Sequence, residues 1–183
     1  MITTVTASTF SSRHVGVAAE AFAAAVFAQC GVDISVQYGA NQPEYDLIVA
    51  RGDQLMKVSV KGSKDGSWGL TQSYLAEADY YRAADTWLAR HKSKTVMCFV
   101  QFKGVPVGSM PRIYLASPSE VAAKLKAASG GRGDTILHEC HTRGPKAAGA
   151  GTVEEMPHAW RFSRERVDEL LDVTGTLLTV QAA

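Results

Sequence analysis

The chain has 183 residues, of which 46% are hydrophobic and 20% charged, and its formal net charge is +1. This composition predicts a single soluble globular domain, spanning residues 1–183, with a sizeable core. The nearly balanced charge argues against a protein whose whole surface binds nucleic acid, although it allows a local basic stripe. No apolar run is long enough to cross a bilayer, so no membrane partner is expected.

The cysteines and the N-terminal segment indicate a cytoplasmic protein. Cys30, Cys98 and Cys140 are scattered without CxxC spacing, and this odd number is typical of reduced intracellular thiols. Met1 is not followed by a basic segment, and Glu20 interrupts the Ala-rich stretch, so a secretory signal is not expected.

The first predicted element is a helix that has Ser11 or Ser12 as its N-cap and ends at Gly31. Its apolar stripe is expected to consist of Val15, Ala18, Phe22, Ala25 and Val26. Glu20 is the only acidic side chain in this helix. Burial of an unpaired carboxylate is costly, so we expect Glu20 either to reach solvent at the rim or to meet a cation.

The most informative segment is a predicted β-hairpin between residues 44 and 62. Gly52 and Asp53 are typical of a two-residue turn between alternating runs. Side chains of a strand alternate between its two faces, so one face of the hairpin is expected to be core. The residues of that face are Leu47, Val49, Met56, Val58 and Val60.

The other face of the hairpin carries polar residues toward its open end. The register set by the turn places Asp46 across from Ser59 and Glu44 across from Lys61. Such residues can be the solvated face of an antiparallel pair. Apolar residues nearer the turn on the same face suggest a covering element, and charges on a partly covered face favour a pocket.

The remaining segments predict a mixed β-sheet with helices on both sides. A loop is expected at residues 62–69, followed by a helix from Gln72 through His91. Strands are predicted at residues 95–102, 112–116 and 135–140, and helices at residues 118–128 and after Ser163. Ser117 and Glu120 form the capping box of the first of these two helices.

Polar residues outside the hairpin are candidates for contact with a phosphate-bearing substrate. The basic candidates are Arg143, Lys146, Arg161, Arg164 and Arg166. They can line a groove for phosphate or serve as ordinary solvated charge. A small-residue segment at residues 144–151 is the best candidate for a mobile loop. Gln72 can reach a substrate or simply begin its helix.

The crowded His138, Cys140 and His141 are not expected to bind zinc, because successive side chains of a strand alternate between faces. Phosphate-loop, dinucleotide-binding and nucleophile-elbow glycine motifs are absent from the sequence. The commonest nucleotide-dependent and serine-hydrolase classes therefore lack support.

The single glutamate of the first helix and the polar end of the hairpin together resemble the PD-(D/E)XK nuclease superfamily. Glu20 matches the helix glutamate of that pattern, and Asp46 matches the aspartate of the second strand, which here follows Pro43. Lys61 matches the lysine of the (D/E)-X-K motif on the third strand. The sequence departs from the pattern at Ser59, which stands where the family has a second acidic residue.

This resemblance covers roughly residues 12–103. It implies a restriction endonuclease-like α/β fold, with a central mixed sheet flanked by helices. It also implies that the protein hydrolyses phosphodiester bonds in DNA. It implies Mg²⁺ or Mn²⁺ held by Asp46, Glu20 and the carbonyl of Val60. Lys61 would orient or deprotonate the attacking water. Substrate contacts are expected from Ser59, Gln72, Arg143 and Lys146, and a homodimer is left open.

Because Ser59 departs from the family's pattern, functions other than DNA hydrolysis are also considered. The negative charge that the family has at this position can be supplied here by Glu20 or Glu44. Alternatively, the site has lost catalytic activity while the fold is retained. In the second case the protein is an inactive relative that binds nucleic acid or a protein partner. A small-molecule enzyme or a structural protein unrelated to nucleases is the third alternative.

Overall fold

A computed structural model of the chain describes residues 10–37, 44–92 and 94–176, with side chains through residue 172. Pro43 therefore lies outside the described residues. The helices are α1 (Ser12–Gln29), α2 (Tyr80–Ala89), α3 (Pro118–Ala127) and α4 (Arg164–Thr176). The strands are β1 (Asp33–Val36), β2 (Leu47–Arg51), β3 (Gln54–Ser63), β4 (Ser67–Gly69), β5 (Thr95–Gln101), β6 (Arg112–Ala116), β7 (Ile136–His138), β8 (Cys140–Thr142) and β9 (Val153–Glu155).

The central sheet is mixed and has the strand order β1-β2-β3-β5-β6. Strands β1, β2 and β3 are successively antiparallel, β3 and β5 are parallel, and β6 is antiparallel to β5. A parallel pair needs a crossover connection, and α2 lies in the segment that joins β3 to β5. Strands β4 with β7 and β8 with β9 form two further antiparallel pairs.

The hairpin of β2 and β3 has the predicted register. Ile48 pairs with Lys57 and Ala50 pairs with Leu55, so Gly52 and the next residue form the turn. Gly52 has a φ of +56°, a conformation that glycine adopts without steric cost. The predicted core face is confirmed, since Leu47, Val49, Met56, Val58 and Val60 are all buried.

Helices pack on both faces of the sheet, as predicted. One core contains side chains from α1 and α4 together with the predicted face of the hairpin. The other contains side chains from α2 and α3 together with Trp68, Phe99 and Trp160. Among the described residues, no helix is long and apolar enough to span a membrane.

The buried stripe of α1 differs from the predicted one. Its buried residues are Val15, Ala19, Ala23, Val26 and Phe27, whereas Ala25 is exposed. The helix crosses β3 at Gly62, where an added Cβ would lie 2.8 Å from Cγ1 of Val15 and 3.0 Å from Cβ of Ala19. An Ala-rich helix offers little contrast between its faces, so this close backbone contact decides which face is buried.

Helix α2 begins later than predicted. Gln72–Tyr74 forms only a short 3₁₀ turn. Glu77 and Ala78 have φ values of +52° and +58°, which interrupt any helix between Gln72 and α2. Asp79 then acts as the N-cap of α2. A hydrophobic pattern without a marked breaker therefore predicted one long helix where the chain makes a turn.

Most other predicted elements are confirmed. Strands β5 and β6 occupy the predicted segments, and the capping box of Ser117 and Glu120 begins α3. Ser163 caps α4 by accepting the N–H of Arg166 at 3.1 Å. The expected loop at residues 62–69 is wrong in part, because β3 continues to Ser63 and β4 pairs with β7.

Candidate functional site

Asp46 is held at the start of β2 by two hydrogen bonds to β3. Its backbone N–H donates to the carbonyl of Val58 at 2.9 Å, and its Oδ2 accepts the N–H of Val60 at 2.6 Å. The regular ladder ends at the pair of Leu47 and Val58, so the predicted ladder pair of Asp46 and Ser59 is not formed. Asp46 instead contacts the residues on both sides of Ser59.

Lys61 has an exposed side chain on a firmly held backbone. Its carbonyl accepts the indole N–H of Trp68 at 2.8 Å. Trp68 is buried and packs edge-on against Phe99, with ring centroids 5.2 Å apart. The strand position of Lys61 is therefore set by the second core, while its ammonium group reaches solvent.

Glu20 completes a group of three charged residues at this end of β3. Partial burial raises the pKa of Glu20, the charge of Asp46 raises this pKa further, and the charge of Lys61 lowers it. Both residues thus lie within electrostatic range of Glu20, as expected from the sequence. The approach of α1 to the backbone of Gly62 brings the helix close enough for this.

Ser59 is buried, with 2% of its surface exposed. Its neighbour across the parallel pair is Met97, which belongs to the second core. Val58 and Val60 belong to the first core, so the side chain of Ser59 lies on the other face of β3. A carboxylate at this position would be almost completely removed from water.

His91 also belongs to this region, although nothing in the sequence pattern marks it. Its ring lies against Trp87, and both ring nitrogens are buried without a hydrogen-bond partner within the described part of the chain. Burial lowers the pKa of His91, the charge of Glu44 raises it, and the charges of Lys61 and Arg90 lower it. A single histidine after a helix has no spacing pattern that would have marked it.

The carboxylate oxygens at this site are of the ligand type that a hard divalent cation prefers. Asp46 keeps one carboxylate oxygen beyond its bond to Val60, and Glu20 adds a second carboxylate. No group of three or more His, Cys, Asp or Glu side chains that could hold a metal ion occurs among the described residues. A cation here would therefore depend also on a backbone carbonyl, water and substrate phosphate.

Arg143, predicted to contact substrate, lies in a different region and is neutralised there. Its guanidinium donates to Asp134 and to Glu154, and the arginine side chain is 9% exposed. Lys146 is exposed in the connection between β8 and β9. Gln72 is exposed on its 3₁₀ turn beside Gly69.

Arg164 and Arg166, also candidates for a phosphate groove, are instead bound within the protein. Arg164 donates to the carbonyls of Gln29 and Cys30 and so caps the C-terminal end of α1. Arg166 is buried and donates to Glu120 and Glu169. These side chains bind the protein's own acceptors, a role that sequence position alone cannot reveal.

The rings of His138 and His141 stack at 4.3 Å between centroids. This contact contradicts the expected alternation, because the chain leaves β7 after His138 and begins β8 at Cys140. Cys140 itself is exposed, and its Sγ lies 4.0 Å from Glu155.

The chain matches no protein-family model, no curated protein and no solved structure. Its function is therefore inferred from the site itself.

Proposed function

We propose that the protein is a metal-dependent nuclease of the PD-(D/E)XK type that hydrolyses phosphodiester bonds in DNA. The observation that carries this proposal is the convergence of Glu20, Asp46 and Lys61 at one end of β3. Asp46 directly precedes the second strand and Lys61 lies on the third, in agreement with the family's pattern. The mixed sheet between two helical layers is compatible with a restriction endonuclease-like fold.

The residues of the site divide the chemistry of hydrolysis between them. Asp46, Glu20 and the carbonyl of Val60 would hold Mg²⁺ or Mn²⁺, which when bound stabilises charge on the phosphate. Lys61 orients the attacking water and donates hydrogen bonds to the phosphate oxygens. The water oxygen bonds to phosphorus and loses a proton to solvent as the ester P–O bond breaks, and the departing oxygen takes up a proton from solvent.

An inactive relative that binds nucleic acid or a protein partner is the second candidate. Ser59 favours it, because a neutral and buried hydroxyl stands where the pattern has a carboxylate. The bond between Asp46 and Val60 also favours it, since one carboxylate oxygen is already used within the fold.

Substitution of Ser59 separates the two candidates. Calorimetry with Mn²⁺ and nicking of supercoiled plasmid in Mg²⁺ or Mn²⁺ are measured for wild type, Ser59→Asp and Ser59→Asn. A nuclease site predicts Mn²⁺ binding by wild type, binding at least about tenfold tighter in Ser59→Asp, and nicking that appears or rises with it. Ser59→Asn is the neutral control of similar size and should not bind more tightly.

Lys61 and Asp46 provide the internal controls. Lys61→Met should abolish nicking and leave Mn²⁺ binding within about twofold, because the lysine acts on the transition state and not on the cation. Asp46→Asn should abolish both Mn²⁺ binding and nicking. This test does not depend on whether Ser59→Asp folds. Metal binding without nicking in wild type and Ser59→Asp would favour the inactive relative. The absence of both metal binding and nicking would refute the metal site.

A further inference from the structure

We propose that the phosphate backbone of DNA is bound by a basic tract consisting of Arg90, Lys92, Lys94 and Lys57. The first three residues lie between α2 and β5, and Lys57 lies on β3. This inference rests on the proposed function and deepens it, because it identifies the surface along which DNA would reach Lys61. The tract differs from the arginine groove expected from the sequence.

Backbone and ring contacts hold the tract together. The N–H of Lys57 donates to the carbonyl of Lys94 at 2.7 Å, which joins β3 to the segment before β5. The ammonium of Lys57 lies 4.9 Å from the ring centroid of Tyr45, and the guanidinium of Arg90 lies 5.7 Å from that of Tyr74. Aromatic contacts restrict a cation without neutralising its charge.

The tract borders the candidate catalytic site. Burial lowers the pKa of His91, the charge of Glu44 raises it, and the charges of Lys61 and Arg90 lower it. Arg90 and Lys61 therefore both lie within electrostatic range of His91. Lys57 and Lys61 are four residues apart on β3, so they share a face and lie about 13 Å apart along the strand. The tract therefore extends from the residues before β5 toward Lys61.

The cations of the tract are not neutralised by ion pairs among the residues that the structure describes. The arginines that form such pairs lie elsewhere and include Arg51, Arg112, Arg143 and Arg166. Unpaired surface cations gather counterions, and their exchange for phosphates releases those ions and favours binding. The four cations of the tract therefore remain available to bind a polyanion.

The neighbouring carboxylates favour a phosphodiester substrate over an anionic membrane. Glu44 and Lys61 both act on His91, and Glu20 and Asp46 lie at the same end of β3. Carboxylates repel a flat anionic surface. A divalent cation held by Asp46 and Glu20 would supply positive charge that attracts a phosphate oxygen.

Binding measured without metal tests the tract independently of cleavage. Anisotropy of a short labelled DNA duplex is recorded in EDTA over a range of salt concentrations. The tract variant carries Arg90→Gln, Lys92→Gln and Lys94→Gln. We expect its affinity at low salt to fall at least tenfold, and the slope of log affinity against log salt to become shallower by about 2 to 3.

A control variant loses the same charge at other positions. It carries Lys103→Gln, Lys124→Gln and Arg132→Gln, and it should bind with nearly the wild-type salt slope. Circular dichroism and thermal unfolding establish that both variants fold. Equal losses in the two variants, no duplex binding by wild type, or a preference for phosphatidylserine vesicles over duplex would overturn the tract.

The outcomes for the tract and for the nuclease are distinguishable. A wild type that binds duplex through the tract but never nicks plasmid refutes the nuclease and supports the tract. A wild type that nicks plasmid while the tract variant binds duplex normally refutes the tract and supports the nuclease.

Discussion

The backbone N–H of Val60 donates to the carboxylate of Asp46 at 2.6 Å. This bond joins the start of β2 to β3 at the point where the regular ladder has ended at Leu47. Val60 is 7% exposed, so water has little access to its N–H if the carboxylate is removed. Asp46 therefore has a structural role that must be separated from its proposed role as a metal ligand.

Substitutions of Asp46 with and without an acceptor should separate these roles. Asp46→Ala leaves the N–H of Val60 unpaired and should lower the free energy of unfolding by about 1–3 kcal/mol. Asp46→Asn keeps an oxygen acceptor and should cost clearly less, while both variants lose Mn²⁺ binding. Urea unfolding and calorimetry measure the two effects. Equal stability of the two variants would contradict the structural role of the carboxylate.

Glu20→Gln should make the protein more stable at neutral pH. The pKa of Glu20 is raised in the folded state, so the folded state loses stability as pH rises from the ordinary pKa through the raised one. The gain should be less than about 1 kcal/mol, because the partly exposed carboxylate is screened by solvent. It should vanish below about pH 4, where the carboxyl is protonated in both states.

Thermal unfolding of Glu20→Gln across this pH range checks the prediction, with the exposed Glu77→Gln as control. A loss of stability at neutral pH would mean that the ion pair with Lys61 outweighs burial and repulsion by Asp46. Mn²⁺ should stabilise wild type and not Glu20→Gln if Glu20 is a ligand.

His91 should make the protein sensitive to mild acid. The pKa of His91 is lowered by burial, with Glu44 opposing and Lys61 and Arg90 assisting, so the folded state resists its protonation. Stability should therefore fall as pH drops below about 6.5, the ordinary value for histidine. His91→Gln should reduce this fall in urea unfolding between pH 7.5 and pH 5.5. The exposed His158→Gln should retain it.

Gly62→Ala should destabilise the contact between α1 and β3. The added Cβ would lie 2.9 Å from the carbonyl oxygen of Val15, and a backbone atom cannot move away as a flexible side-chain end can. We expect a loss of about 1–3 kcal/mol in the free energy of unfolding. Gly16→Ala in α1 is the matched control, because its Cβ meets nothing within 4 Å and alanine favours the helix. A similar effect of both substitutions would contradict the close approach.

Local features of the fold were predictable from the sequence because their causes lie within a few neighbouring residues. The alternation and the turn at Gly52 set the register of β2 and β3, and the capping box at Ser117 and Glu120 begins α3. The candidate residues Glu20, Asp46 and Lys61 were also recognisable by type and order. Their proximity required the packing of α1 on Gly62.

Contacts between residues that are far apart in sequence could be seen only in the tertiary structure. The sequence could not assign Arg143 to Asp134 and Glu154, because an arginine next to a small-residue segment is compatible with either a free or a paired side chain. It could not place His91 within electrostatic range of Lys61, since a crossover separates the two residues along the chain. The chain by itself thus determined which groups can do chemistry. Tertiary packing decided which of those groups meet, because burial and charge pairing act between segments that are far apart in sequence.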